Sequence, residues 1–193
     1  MDTRHPGFLL AASVVVISAI SGCIIYLVFS RTPERQPLEH GPGWKAAAEA
    51  PQSRKSAVNL YFANEKAGWL SAENRVLDHP GTQSEFGGVI IDALIEGPRT
   101  RLGRTIPGSA LRRAMYVTKE GIAYVDLSRE TAEDHPGGVE SELITIYSIV
   151  NSLVLNIPEI KAVKILIDGK ESETLTGHVD LRFPFVADIM MIR

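Results

Sequence analysis

A single cysteine, Cys23, stands in the chain of 193 residues, and aromatic side chains make up only 7% of it. One thiol excludes an internal disulfide framework, so any domain formed here is held by its apolar core. Catalytic signatures are missing as well. No Gly-x-Ser-x-Gly elbow exposes a nucleophile, and Gly97-Pro98, Gly103 and Gly108 lack the Gly-Lys-Ser/Thr end that closes a phosphate-binding loop. Nor is there an excess of positive charge: the net charge of −3 lacks the basic footprint of a nonspecific nucleic-acid binder, so no nucleic-acid partner is expected. The expectation is a noncatalytic protein with no cofactor and no metal.

Charge disappears altogether from Phe8 to Phe29. About 20 apolar residues at 1.5 Å rise span the roughly 30 Å core of a bilayer, so this run reads as a membrane helix. Arg4 and His5 precede it, and Arg31 and Arg35 follow it. A short basic N-terminus favours a signal anchor with its N-terminus inside, a single pass through the cytoplasmic membrane, and a domain outside the cytoplasm. A second reading is chemical. Ile20-Ser21-Gly22-Cys23 is similar to a bacterial lipoprotein processing box, which makes Cys23 a candidate for lipidation, although Ile24 to Phe29 continue the apolar run. Either reading tethers an external domain. Residues 1–29 are thus assigned to the anchor, 30–56 to a flexible linker rich in proline, glycine, alanine and charge, and 57–193 to one domain.

Within that domain, period-two alternation marks strands at Val58-Leu60-Phe62, Met115-Val117, Ala123-Val125-Leu127 and Val163-Ile165-Ile167. Lys119-Glu120-Gly121 joins two of them as a hairpin. Helical spacing appears in Phe86, Val89, Ile90, Ala93 and Leu94, and again in Leu143, Ile146, Tyr147, Val150 and Val154. Thr82 and Glu85 form a capping box before the first helix, Gly97-Pro98 ends it, and Pro158 stops the second. Asp78-His79-Pro80-Gly81 and Asp134-His135-Pro136-Gly137 precede the two helices, a weak repeat that implies two βαβ halves sharing one sheet. The expected fold is α+β: a βαββαβ sheet with two helices on one face, preceded by the transmembrane helix. Trp69 to Leu77 and Thr176 to Phe185 are candidates for edge pairing.

The residues able to do chemistry are few. His79 and His135 could meet as metal ligands, but Asp-His-Pro-Gly before a helix is ordinary turn chemistry. Asp92 and Asp126 could act as acid and base, yet no spacing brings them together, and Asp126 is better placed to accept from backbone amides after its strand. Asp168-Gly169 reads as a hairpin turn. Arg99, Arg101, Arg104, Arg112 and Arg113 crowd one loop and strand start. Their guanidinium forks suit phosphate or carboxylate, so they mark a candidate surface for a partner or anion, against the plainer reading of a solvated basic loop.

Tyr61-Phe62, Arg75-Val76, Ala93-Leu94-Ile95-Glu96-Gly97-Pro98, Ile106-Pro107-Gly108-Ser109, Val125-Asp126-Leu127-Ser128 and Ile167-Asp168-Gly169, in this order and spacing, resemble the GerMN domain of bacterial sporulation and germination proteins. The resemblance covers nearly all of Ala57 to Pro184. It implies a ring-building type of α+β domain, exposed outside the cytoplasmic membrane, serving assembly or binding in the envelope without catalysis. Its partners would be an envelope protein or further copies of itself. The alternative is a monomeric module for a cell-wall glycan or peptide.

Overall fold

The computed structural model describes residues 54–64 and 68–193. The run Phe8–Phe29, Cys23 and most of the linker lie outside the described residues, among which no helix is long and apolar enough to cross a membrane. β1 (Arg54–Asn64) and β2 (Trp69–His79) form an antiparallel hairpin. β1 begins at Arg54, so the end of the stretch read as linker belongs to this strand. α1 (Gln83–Glu96) follows, then the hairpin of β3 (Arg112–Val117) and β4 (Ile122–Leu127). A short α2 (Glu130–Glu133) leads into α3 (Val139–Val154), which crosses over to β5 (Ala162–Ile167), parallel to β4. A C-terminal strap then runs to Arg193 and contains one 3-10 turn, Ile189–Met191.

The α+β class holds, but the strands do not share one sheet. β1 and β2 make a two-stranded sheet, and β3, β4 and β5 make a three-stranded one in that order. The cause is visible along β1. Its outward peptide groups are taken by side chains of α3 and of the turn that follows it: Ser148 donates to the Tyr61 carbonyl at 2.6 Å, Ser152 accepts from the Tyr61 amide at 3.0 Å, and Asn156, just past the helix end, bonds both the amide (3.0 Å) and the carbonyl (2.8 Å) of Asn59. Gly103 completes the edge by exchanging backbone bonds with Ala63. The hydroxyls of a helix face and the amide just beyond the helix end stand where the repeat implied a neighbouring strand, so the two halves are not alike. Of the expected edge segments, Trp69 to Leu77 is the second strand of the hairpin, and Phe185 pairs with Val163 on β5.

α1 packs on β2 and β3, and α3 on β1 and β5, so the two helices join the sheets. Leu60, Phe62, Ile90, Ile91, Leu94, Val125, Ile146, Ile149 and Leu153 are fully buried between them. The capping box at Thr82 and Glu85 is formed in both directions. Gly87 lets α1 lie close on β3, since a Cβ there would run into the Met115 side chain. That approach offsets the roughly 1 kcal/mol a mid-helix glycine costs relative to alanine.

Candidate functional site

Three groups of polar side chains, each built around a buried charged residue, set the geometry of the domain, and each holds backbone that no regular element satisfies. The first lies on β2. Glu73 and Arg75 point inward and are 5% and 4% exposed. Arg75 Nε donates to Glu73 at 2.7 Å, Nη1 to the Ala93 carbonyl at 3.2 Å, and Nη2 to the Gly97 carbonyl at 2.5 Å. Its guanidinium also lies 5.4 Å above the Phe62 ring. Glu73 accepts from the amides of Arg99 and Thr100 and from the Thr100 hydroxyl at 2.6 Å. Burial alone would push the Glu73 carboxyl up; the Thr100 hydroxyl, the Arg99 amide, Arg75 and the Thr100 amide outweigh it and hold it at about 2. This pair pins the end of α1 and the loop beyond it to the hairpin, which explains why Arg75-Val76 and Glu96-Gly97-Pro98 belong to one pattern.

The second group joins β3, β4 and β5. Asp126, read from the sequence as an acceptor of backbone amides after its own strand, instead receives the Gly169 amide after β5, at 2.7 Å, because β5 lies beside β4. Asp168 (φ 55°) and Gly169 (φ 76°) form the expected tight turn. Arg113 bridges Asp126 at 3.2 Å and Asp168 at 2.8 Å, and Arg129 reaches Asp168 at 3.1 Å. Asp92 lies elsewhere, paired with Arg112 at 2.7 Å.

The third group fastens the strap. Glu142, fully buried on α3, accepts from the amides of Thr176, His178 and Val179, from the Thr176 hydroxyl, and from His178 Nδ1 at 2.8 Å. Burial pushes its carboxyl up, but those bonds outweigh it and lower it below the ordinary range. Asn151 exchanges two bonds with the Asp188 backbone, and buried Lys164 donates to the carbonyls of Leu181 (3.0 Å) and Arg182 (2.6 Å). Nothing in the hydropathy pattern singled out Glu73, Glu142 or Lys164. The signal available was a charged residue at a core-facing position of an otherwise alternating or amphipathic segment.

The arginines named from the sequence take different roles. Arg99 pairs with Glu96 at 3.1 Å, Arg104 donates to the Ile95 and Glu96 carbonyls at 2.7 and 2.6 Å, Arg112 meets Asp92, and Arg113 serves the second group. Arg101 is exposed and makes no ion pair or hydrogen bond among the described residues. The histidines are apart in role too. His79 stacks on Phe86 at 3.8 Å, whereas His135 bonds the Thr145 hydroxyl at 2.9 Å. Among the described residues no cluster of His, Cys, Asp or Glu could hold a metal ion. A cavity of about 450 Å³ opens between the hairpin tip and the start of α3, with Trp69, Arg104, Glu140 and Ile144 in its wall. The strap leaves apolar side chains in solvent: Phe183, Val186, Ile189 and Met190 are 65–76% exposed.

No curated protein matches this sequence at a significant level. Among solved structures, the chain is similar to a candidate lipoprotein from Clostridium perfringens, with 25% identity, a TM-score of 0.50, and coverage of 68% of this chain and 87% of that one. It is similar to the first GerMN domain of the sporulation protein GerM from Bacillus subtilis at 17% identity and a TM-score of 0.52, covering 68% of this chain and 97% of that one. Against the tandem GerMN domains of GerM the identity is 18% and the TM-score 0.53, over 70% of this chain and 46% of that one. This chain therefore spans about half of the tandem protein, and at these identities the likeness to GerM concerns the fold. A family model described as Germane, sporulation and spore germination, matches residues 59–173, from β1 to beyond the Asp168-Gly169 turn. The matched stretch contains the first two polar groups and the Glu142 side of the third, and the chain belongs to the Germane (GerMN) family of sporulation and spore germination.

Proposed function

We propose that this protein is a membrane-tethered component of the bacterial envelope whose Germane domain works by protein association rather than catalysis. The observation that carries the reading is a contrast between inside and outside. Glu73, Arg75, Glu142 and Lys164 are consumed in holding backbone, while large apolar side chains of the strap face solvent. Buried charges already bonded to fixed partners are poorly placed to exchange protons with a substrate. Exposed apolar side chains grouped in one segment suit a partner surface. The apolar run Phe8–Phe29 supplies the tether, and the names of the similar proteins, a candidate lipoprotein and a sporulation protein, support a place outside the cytoplasm.

The test is amine-reactive cross-linking of the full chain in membranes, with mass spectrometry of the products. Homo-oligomers or a defined heterologous partner support association. A second reading, a monomeric module for a wall glycan or peptide, draws on the cavity beside Trp69, because an indole face is a stacking surface for a sugar ring. A monomer that binds wall fragments, and loses them on Trp69→Ala, would replace the first reading with this one.

A further inference from the structure

Five hydrogen bonds run in one direction from the turn before α3 to the sealed edge of β1, and one histidine stands among them. The Gly137 amide donates to His135 Nδ1 at 3.0 Å. An amide can only donate, so Nδ1 is bare and the neutral ring carries its proton on Nε2. The far end dictates the same tautomer. Thr145 spends its hydroxyl proton on the Thr105 carbonyl at 2.5 Å, so towards His135 Nε2, 2.9 Å away, it can only accept. Ser148 likewise spends its proton on the Tyr61 carbonyl, so the Thr105 hydroxyl donates to Ser148 at 2.7 Å. Thr105, Thr145 and Ser148 are all buried, which keeps water from competing for these bonds.

We propose that His135 is an acid-sensitive catch: neutral, it locks the turn that leads into α3, and protonated, it releases that turn together with the cavity wall the turn forms. An imidazolium carries hydrogen on both nitrogens. Its Nδ1 proton would face the Gly137 proton, donor against donor, and the amide has no lone pair to offer. The ring must then leave its place, and little else secures the turn. Gly137 (φ 77°) and Gly138 (φ 89°) both sit in the left-handed region, and no side chain caps the first turn of α3. His135 lines a cavity of about 140 Å³, Gly137 and Gly138 line the one of about 450 Å³ beside Trp69, and Arg104, Ser141 and Ile144 belong to both.

The charged groups about the ring pull both ways. Arg104, on the loop after α1, and Asp134, just past α2, line the small cavity with it. Arg104 is spent on the Ile95 and Glu96 carbonyls, and Asp134 accepts from Ser109. Glu142 acts on the ring from α3, and His178 of the strap is held by Glu142. Burial disfavours the imidazolium and outweighs the pull of Glu142 and of the Ser141 backbone, so the ring titrates below the ordinary histidine value. Because the folded-state value is the lower one, the stability the catch contributes is complete above about pH 6.5 and is lost as pH falls through the folded-state value. A place outside the cytoplasm, as proposed above, would expose the catch to the acidity of the medium, but the catch itself does not depend on that placement.

The test is hydrogen–deuterium exchange with mass spectrometry on the full chain in membranes, read at two positions. Exchange at the imidazole C2 carbon follows the titration of His135 itself, expected below about 6.5. Backbone exchange over 134–142, taken relative to an unstructured peptide at the same pH, is expected to rise at least tenfold between pH 7 and pH 5, with the midpoint of that titration. Glu73 and Glu142, both held below the ordinary carboxyl range, stay ionised over this step. His135→Gln keeps a polar side chain that does not titrate and should abolish the rise, whereas His178→Ala should retain it. A His135 titration at or above about 6.5, no rise between pH 7 and pH 5, or an equal rise in His135→Gln would overturn the proposal. If His135→Gln does not fold, the parent chain decides: coincident midpoints at the ring and the backbone support the catch, and separate ones overturn it.

Discussion

Replacing Glu73 by glutamine preserves its shape and removes the charge on which Arg75, the Thr100 hydroxyl and the Arg99 and Thr100 amides converge. A carboxyl held at about 2, against an ordinary 4.5, contributes about 3 kcal/mol of stability above the unfolded-state value. The folded-state value is the lower one, so this stability is complete above about pH 4.5 and is lost as pH falls toward 2. Glutamine cannot supply it at any pH. It also leaves the buried Arg75 charge without its carboxylate and turns an NH2 donor toward groups that themselves donate, a loss of the same order for a broken buried pair. Urea unfolding of residues 52–193 should therefore show Glu73→Gln destabilised by about 3 kcal/mol at pH 7, which is roughly 10 °C in Tm for a domain of this size. The difference from the parent should shrink progressively below about pH 4.5. Glu96→Gln is the control, because Glu96 is 57% exposed and only 3.5 Å from Arg75 at its nearest approach, and it should cost less than about 1 kcal/mol. A Glu73→Gln effect under 1 kcal/mol at pH 7, or one that does not change with pH, would refute the reasoning.

Glu142→Gln should release the strap: amide exchange at 176–179 is expected to accelerate at least tenfold, with about 1–3 kcal/mol lost, and the parent should lose the same contribution as pH falls below the ordinary carboxyl range. His178→Ala should cost less than about 1 kcal/mol by the same measurement, since the side chain is 42% exposed and the backbone donors to Glu142 remain. Ser148→Ala leaves the Tyr61 carbonyl buried without its donor and should cost about 1–3 kcal/mol in urea unfolding. Gly97→Ala forces a side chain into φ 94°, ψ 176°, a region open almost only to glycine, and should lower stability by about 1–3 kcal/mol. Arg101→Gln should leave stability within about 0.5 kcal/mol; weakened membrane or partner association in this variant, read by co-sedimentation, would implicate the arginine surface.

What could be read from the sequence followed from local rules. Alternation marked the strand cores, helical spacing located α1 and α3, and Thr82 with Glu85 placed the start of α1 correctly because a capping box depends only on neighbours. Asp168-Gly169 was equally local in origin, whereas Asp126 accepts a backbone amide as expected but from Gly169 after β5 rather than from the residues after its own strand, a partner no local rule supplies. Trp69 to Leu77 was located as a pairing segment, within two residues of the end of β2, but it gave no apolar alternation because Glu73 and Arg75 occupy inward positions at the place where the strand is most tightly held. α3 was recognised by one apolar stripe, yet Thr145, Ser148 and Ser152 on another side are buried too. Ser148 and Ser152 bond β1 while Thr145 bonds the Thr105 carbonyl, so the single-sheet expectation failed for a reason no periodicity carries: a polar helix face took the place of a strand. The strap has no period at all and is defined by the side chains that fasten it.

The seal on β1 also bears on the order in which the chain becomes a domain. Tyr61 and Asn59 wait for Ser148, Ser152 and Asn156, partners 87 to 97 residues further along. During synthesis the hairpin is complete long before α3 exists to cover it. In that interval both of its edges are open templates, and pairing between nascent chains competes with folding. Slowing the appearance of α3, for example by synonymous codons upstream of Val139, would lengthen that interval and raise the aggregated fraction without altering one contact of the finished protein.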